Sequence, residues 1–341
     1  MAGASQLVPV WHDESVDQHL LALDGSPASA DPSTIKGMLA DGKLLWLDLD
    51  AADEHTIPLL RDVFHVHPLA LKAVAEFGQR PKIEMYGDVA YLVMYGARGM
   101  GDPPIEVHCF YADSFLITVR RDQSAVLDQL REQTTEQGGP VSGQVSGQRP
   151  PRLVMLHHII ESQIDSFFPT LSDFDDKIDD LQQRIFAKPS DEELAELFSL
   201  QRWLISLRKL VTPERDMVAS LVSGIIDLPG KVPESEPYIR DLYDRLIRIS
   251  DLVDSYRDLL SNAMDAYLST VSNRLNQVMK QLTIIATVFL PLSFLTGFFG
   301  QNFGWLVSRL GSLPVFLILG FGTELLAVAG LVFLFRRRGW M

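Results

Sequence analysis

Cysteine is almost missing from this chain: Cys109 is the only one in 341 residues. An intrachain disulfide framework and a paired-cysteine metal site are therefore excluded. Cys109 sits in a strand-like run, IEVHCFYADSFLITV, where it is expected to pack as a small hydrophobe. The nucleotide-cradling patterns GxxxxGK[ST] and GxGxxG are absent, and so is a nucleophile elbow. An enzyme reading thus starts without a site, and the expectation is a protein that is not an enzyme and needs no cofactor. The first residues, MAGASQLVPVWHDESVDQ, have neither the basic start nor the apolar stretch of a secretory signal. The body is expected to stay in the compartment where it is made.

Positive charge is scarce. Thirty Lys and Arg face 44 Asp and Glu, a net charge of −14. Averages of 22% charged and 47% hydrophobic residues, with a mean hydropathy of +0.09, hide a sharp division. Residues 281–341 carry only Arg309, Arg336, Arg337, Arg338 and Glu324, so residues 1–280 hold a net −17. An acidic body lacks the basic patch that nucleic acid requires. It is compatible with attracting cations, although a solvated acidic surface gives the same balance.

Charge is lacking altogether from Leu282 to Phe299, LTIIATVFLPLSFLTGFF. Those 18 residues reach about 27 Å as a helix, close to the ~30 Å of a bilayer interior. A second run, Leu313–Phe335, is apolar except for Thr323 and Glu324 and leads into FRRRGWM. Buried helices of a soluble core rarely lack charge on every face, which favours two membrane spans. Three arginines abutting a span mark the cytoplasmic side, and Trp340 suits an interfacial belt. A multi-pass protein of the plasma membrane follows, with both termini cytoplasmic and a short outer loop at 301–312. Glu324 is costly in mid-membrane: it is expected to serve transport, to be protonated, to face a neighbouring subunit or to pair with Arg309.

The first ~135 residues alternate in type. KLLWLDLD reads as a strand, HPLALKAVAEF as a helix, and two strand pairs break at Gly87-Asp88 and at Ala112-Asp113-Ser114. GGPVSGQVSGQRPP reads as a surface loop. Arg152–Ala187 and Asp191–Ser223 read as two long amphipathic helices, with Ser190 as an N-cap. The eight histidines are scattered; His65 and His67, or His157 and His158, lack HxxxH spacing and read as structural.

Glycine and proline are absent between Pro237 and Pro291. Apolar residues recur there at Leu242, Leu246, Ile249, Val253, Tyr256, Leu260, Met264, Tyr267, Val271, Leu275, Val278 and Leu282, the steps of a long packed helix. It is a stalk running into the first span and expected to pack in a bundle. Asp244, Asp251, Asp258 and Asp265 repeat every seven residues, with Asp241 and Asp254 beside them. They form either a solvated face offset by Arg245, Arg248 and Arg257, or carboxylates that neighbouring subunits pool for a hard divalent cation. The fold class is thus an α+β cytoplasmic domain, a mixed sheet with flanking helices, then a very long stalk helix and two C-terminal transmembrane helices. The expected division is 1–236 body, 237–281 stalk, 282–300 first span, 301–312 loop, 313–335 second span and 336–341 basic tail.

Along the first span one line runs Asn276, Met279, Thr283, Ala286, Leu290, Ser293, Gly297. Steps of three and four make it a single stripe of amide, hydroxyl and small side chains with two bulky apolar ones. Such stripes also serve helix packing, but this one ends at Gly300-Gln301-Asn302, which favours a pore lining.

The stretch YLSTVSNRLNQVMKQLTIIATVFLPLSFLTGFFGQNF, the two terminal spans and the ending FRRRGW resemble the CorA-type divalent metal ion transporters, which include the ZntB zinc branch. HPLALKAVAEFGQRPKIEMYGDVAYLVMY extends the resemblance into the body. It implies a homopentamer with a cytoplasmic funnel, a first span lining the pore and a Gly-Met-Asn loop at the outer mouth. Gly300 and Asn302 match that motif, and Gln301 stands where magnesium members carry methionine. Asn276 matches the cytoplasmic pore end, Met279, Leu282 and Leu290 the apolar constriction, and Gly297 the upper narrow point. Asp265 resembles the stalk aspartate facing the axis, and Asp241 a regulatory metal carboxylate. The implied function is transport of Mg²⁺ or Co²⁺, with Mg²⁺ also the regulatory ion. A ZntB-like, proton-coupled zinc transporter and a non-conducting membrane metal sensor remain the alternatives.

Overall fold

The computed structural model describes residues 19–22, 27–28, 31–136, 150–301, 304, 308 and 312–340. The glycine-rich stretch 138–149, Asn302 and Arg309 lie outside these residues.

Strands β1 (His19–Ala22), β2 (Pro27–Ala28), β3 (Leu45–Asp50), β4 (Lys82–Tyr86), β5 (Val89–Gly96), β6 (Ile105–Tyr111) and β7 (Phe115–Arg120) form one sheet in the order β2-β1-β3-β7-β6-β5-β4. All neighbours are antiparallel except β3 and β7, so the sheet is mixed. Both hairpin turns fall where glycine or a short polar triplet interrupts an apolar run. Gly87 adopts φ +62°, a conformation that an L side chain resists. Helices α1 (Pro32–Ala40), α2 (Thr56–Asp62), α3 (Pro68–Glu76) and α4 (Ala125–Glu136) accompany the sheet. Asp31 caps α1 through the backbone amides of Ser33 and Thr34.

Central strands β3, β6 and β7 are buried along their whole length, so polar groups on them need partners. Asp48 accepts from the Thr118 hydroxyl at 2.6 Å and from Arg120 at 2.8 Å, and Arg120 also reaches Asp128 at 2.7 Å. Glu106 takes the backbone amides of Gly78 and Gln79 at 2.6 and 2.9 Å, which ties down the left-handed turn after α3. Burial alone would raise its carboxyl, but His108 and these two amides outweigh burial and hold it below the ordinary carboxylate range. Cys109 is fully buried in β6, and burial pushes its thiol up, as its reading as a small hydrophobe requires.

After the sheet come α5 (Pro151–Asp165), α6 (Phe167–Ala187), α7 (Asp191–Val222), α8 (Glu236–Phe299) and α9 (Leu313–Arg337), which contains a π-helical turn at Leu317–Phe321. The sequence predicts one helix over 152–187, but it breaks at Ser166. There the hydroxyl accepts from the Ala97 amide at 2.7 Å and donates to the Gln163 carbonyl. A methyl at Gly96 would overlap the Gln163 side-chain amide, so this glycine lets α5 lie close on β5. The chain divides into two compact units: Met1–Gln183 with Glu192–Asn262, and Arg184–Asp191 with Ala263–Met341.

Candidate functional site

Helix α8 is unbroken for 64 residues, as the absence of glycine and proline over most of its length allows, and Pro291 is accommodated within it. Its apolar stripe divides in two. Leu242, Leu246, Ile249, Val253, Tyr256 and Leu260 are buried. The Tyr256 ring lies 5.4 Å from Phe174 of α6, and Arg208 of α7 reaches Asp254 at 3.4 Å. This half of the stripe is therefore covered by the chain's own helices, and a bundle of several chains is not needed to bury it. Tyr267 is still buried, whereas Val271, Leu275, Val278 and Leu282 are exposed, and among the described residues it is this part that lacks cover.

Further along α8, Asn276, Met279, Leu282, Thr283, Leu290, Ser293 and Gly297 are all exposed. At about 100° per residue, the stripe from Asn276 to Gly297 keeps to one side of the helix, with Leu282 at its margin. Thr283 returns its hydroxyl to the Met279 carbonyl at 2.7 Å within the same helix, and the Thr296 hydroxyl reaches the Leu292 carbonyl at 2.6 Å. Gly297 has open space where a Cβ would stand. Among the described residues, nothing packed against it demands glycine there.

The helix ends at Phe299. The Gly300 amide donates to the Thr296 carbonyl at 2.9 Å, and a Cβ on Gly300 would press against that carbonyl at 3.0 Å. A larger residue here would need the carbonyl to give way by a few tenths of an ångström. The exposed Gln301 follows, its amide 3.3 Å from the Phe298 carbonyl. Asn302, the third residue of the predicted motif, lies outside the described residues. A helix C-terminus presents partial negative charge, which favours a cation at this end.

Helices α8 and α9 are both long and apolar enough to cross a membrane, and their most apolar windows are unburied in the chain. Within the second unit, Glu324 of α9 meets Thr296 of α8 at 3.2 Å. Thr296 is turned by about 100° from Gly297, so this contact leaves the stripe free. Arg309, the alternative partner of Glu324, is outside the described residues. Lys280 donates to the Gly339 carbonyl at 3.1 Å, next to the Arg336–Arg338 end of α9.

The candidate regulatory aspartates do not gather within one chain. Asp244, Asp251, Asp258 and Asp265 are exposed on one face, about 10.5 Å apart along the axis. An ion bound at 2.0–2.6 Å from oxygen cannot bridge that step; only carboxylates of other copies could complete such a site. Asp258 pairs with Arg257 at 3.1 Å. Asp241 is held by Arg245 at 2.8 Å, and the same guanidinium grips Asp165 at 2.7 Å and Glu161 at 2.9 Å. Burial works against the charge on Arg245, but these three carboxylates outweigh it and raise its pKa. Of the proposed aspartates, Asp241 thus has a cation already.

His65 adopts a left-handed backbone, and His67 caps α3 through Leu69 N while stacking on Tyr86 at 4.3 Å. Neither belongs to a cluster of metal-ligating groups among the described residues. His157 and His158 differ: each reaches Glu161 on the next turn of α5. Reading histidine against histidine passes over this carboxylate; the HHxxE spacing carries the signal.

A family model described as CorA-like Mg²⁺ transporter protein matches residues 41–337. The cobalt/magnesium transport protein CorA of Thermotoga maritima is 31% identical over 287 residues, covering 82% of this chain and 78% of that protein. The zinc transport protein ZntB of Pectobacterium carotovorum is 29% identical over 293 residues, covering 84% and 85%. The complete structure of the CorA magnesium transporter from Methanocaldococcus jannaschii has the same fold. It aligns with a TM-score of 0.79 at 20% identity, over 96% of this chain and 100% of that one. With a mixed-sheet body, a helix of 64 residues entering an apolar segment and a second apolar helix behind it, the chain belongs to the CorA-like Mg²⁺ transporter family.

Proposed function

We propose that this chain is one subunit of a homopentameric membrane channel that carries Mg²⁺ and similar divalent ions such as Co²⁺. The observation that carries the reading is the stripe on α8, which is exposed among the described residues and ends at Gly300-Gln301. The body (1–236) and stalk (237–281) are cytoplasmic in this reading. The first span (282–300) lines the pore, 301–312 is the outer loop, 313–335 surrounds the pore, and the arginines of 336–341 hold the C-terminus in the cytoplasm.

Mg²⁺ sheds its waters reluctantly, so a selective mouth should take the ion hydrated. A ring of Asn302 carbonyl oxygens accepts hydrogen bonds from those waters without a charge that would trap the ion. Gln301 either enlarges this ring or packs back against the second span. Deeper in, Met279, Leu282 and Leu290 form an apolar constriction that conducts when wetted and closes when dry. Asn276 receives the ion at the cytoplasmic end. On the stalk, Asp244, Asp251, Asp258 and Asp265 from neighbouring copies pool carboxylates for a regulatory divalent ion. Asp241 joins them only by leaving Arg245.

The ZntB likeness and Gln301 favour one second reading, a proton-coupled zinc transporter. Uptake into proteoliposomes, comparing Mg²⁺, Co²⁺ and Zn²⁺ with and without a pH gradient, separates the two. The channel reading predicts Mg²⁺ and Co²⁺ flux indifferent to the gradient and lost in Asn302→Ala. Zinc flux that needs the gradient, without Mg²⁺ flux, would transfer the protein to the second reading. Binding without flux of any ion would leave a membrane metal sensor.

A further inference from the structure

The cluster on α5 is separate from the ion pathway. The Nδ1 atoms of His157 and His158 lie 3.7 and 3.4 Å from Glu161 Oε2. One ligand atom from each of the three residues fits within 4.8 Å of the other two. Two donors about 2.1 Å from a tetrahedral ion stand about 3.4 Å apart, so both pairs are close to ligand spacing. The third distance, between the two imidazoles, is at most 4.8 Å and shortens when both bind one ion. All three side chains are half-buried: an ion can reach them, yet the site is shielded on one side.

The surroundings supply what a metal site needs. Glu161 Oε1 is held at 2.9 Å by Arg245 from α8, which leaves Oε2 facing the two imidazoles. Arg245 is itself fixed by Asp165 and Asp241. These three carboxylates against one guanidinium leave two negative charges, the complement of a divalent ion. Behind His157 lies an apolar crevice lined by Leu156, Ile160, Ile239 and Leu242, and the Tyr238 ring meets the His157 ring edge-on at 5.6 Å. A low-dielectric wall strengthens attraction between an ion and its carboxylate.

We propose that His157, His158 and Glu161 bind a borderline divalent ion of the Zn²⁺, Co²⁺ or Ni²⁺ class, with Arg245 orienting the carboxylate. Imidazole nitrogens select such ions over Mg²⁺, which takes oxygen and keeps its waters. Through Glu161 and Arg245 the bound ion links α5 to α8, so it fastens the stalk's beginning to the body. This site stands whether or not the protein conducts.

The test uses tag-free, full-length protein in detergent, with Co²⁺ as probe and Mg²⁺ in large excess. The wild type is expected to show the intense visible bands of low-coordinate, nitrogen-ligated Co²⁺, bleached by Zn²⁺. His158→Gln should weaken Co²⁺ binding by at least about tenfold, and His157→Gln with His158→Gln should abolish the bands. Asp244→Asn with Asp265→Asn should leave them intact. Only the weak bands of six-coordinate Co²⁺ in the wild type, or full bands in the double histidine variant, would overturn the proposal. Should the double variant misfold by circular dichroism, the more exposed His158→Gln decides alone: unchanged Co²⁺ affinity there rejects the site.

Discussion

At the scale of residues, the most consequential buried group is Glu214 of α7. It is fully buried, with one oxygen accepting from the Tyr95 amide at 3.1 Å. Desolvation pushes its carboxyl up to about 8, and the single amide only partly offsets this. The folded state therefore holds a proton that the unfolded chain releases near the ordinary pH of a glutamate. Its contribution to stability is fully present below that pH and is lost as pH rises toward 8. Glu214→Gln keeps the shape and removes the titration. Denaturant unfolding of the full chain, followed by tryptophan fluorescence, should show the wild type losing stability between pH 5 and pH 8. The loss is on the order of a few kcal/mol, and the variant should have a flatter profile. Equal slopes would mean that Glu214 stays ionised.

Single residues also mark what the sequence could show. The end of the first span at Gly300 was legible because the uncharged apolar run stops there, and α8 ends at Phe299. The ion pairs of Asp241 were not legible. Arg245 lies four residues on and suggests a local pair, but Asp165 and Glu161 arrive from another helix 80 and more residues away. Thr296 and Glu324 are likewise joined only by the fold. One prediction belongs here. Because Arg245 occupies Asp241, replacing Asp244, Asp251 and Asp265 together by Asn should reduce Mg²⁺-dependent protection of the stalk from protease more than Asp241→Asn does. The opposite order would place the regulatory ion at Asp241.

At the scale of elements, α8 does two jobs along one helix. Its first half buries a full apolar face against α6 and α7, and its second half exposes one. Leu246→Ala should therefore cost about 2–5 kcal/mol of unfolding stability, the usual penalty for emptying a core leucine site. Leu275→Ala, at a residue 61% exposed, should leave the body's stability unchanged and shift the oligomer toward smaller species on size-exclusion chromatography. Equal destabilisation by both would mean that the halves are not distinct. Periodicity in the sequence located the buried face correctly but not its partner, because a heptad repeat records that a face is covered, not by which chain. The strands were legible for the complementary reason: hairpin turns at Gly87-Asp88 and Ala112-Asp113-Ser114 are local, and the registers they impose are fixed by adjacent residues. Parallel pairing of β3 with β7, 70 residues apart, has no local signal. The break at Ser166 is similar, since it is made by a contact with Ala97.

At the scale of the whole molecule, charge and apolarity are divided between the two ends of the chain. The net −17 lies on residues 1–280, and two apolar helices whose most apolar windows are unburied require lipid or further copies around them. The open space at Gly297 belongs to this scale. Gly297→Ala should fold and assemble as the wild type does, yet reduce Mg²⁺ flux by about tenfold or more if five copies meet there. Wild-type flux in that variant would remove Gly297 from the narrow part of the pathway.

The central claim is that ions pass along the α8 stripe, and the single, buried Cys109 makes it directly measurable. With Cys109 replaced by alanine, cysteine is placed singly at Asn276, Thr283, Ala286, Leu290, Ser293 and Gly297, and off the stripe at Ile285, Val288 and Leu292. Mg²⁺ flux into proteoliposomes is then recorded before and after a charged, membrane-impermeant thiol reagent. The account predicts that the stripe positions are modified and flux is blocked, with the three-and-four spacing of one helix face, while the off-stripe positions are untouched. Block at Ile285, Val288 and Leu292 with the stripe inert would put the pathway on another face of α8 and contradict it.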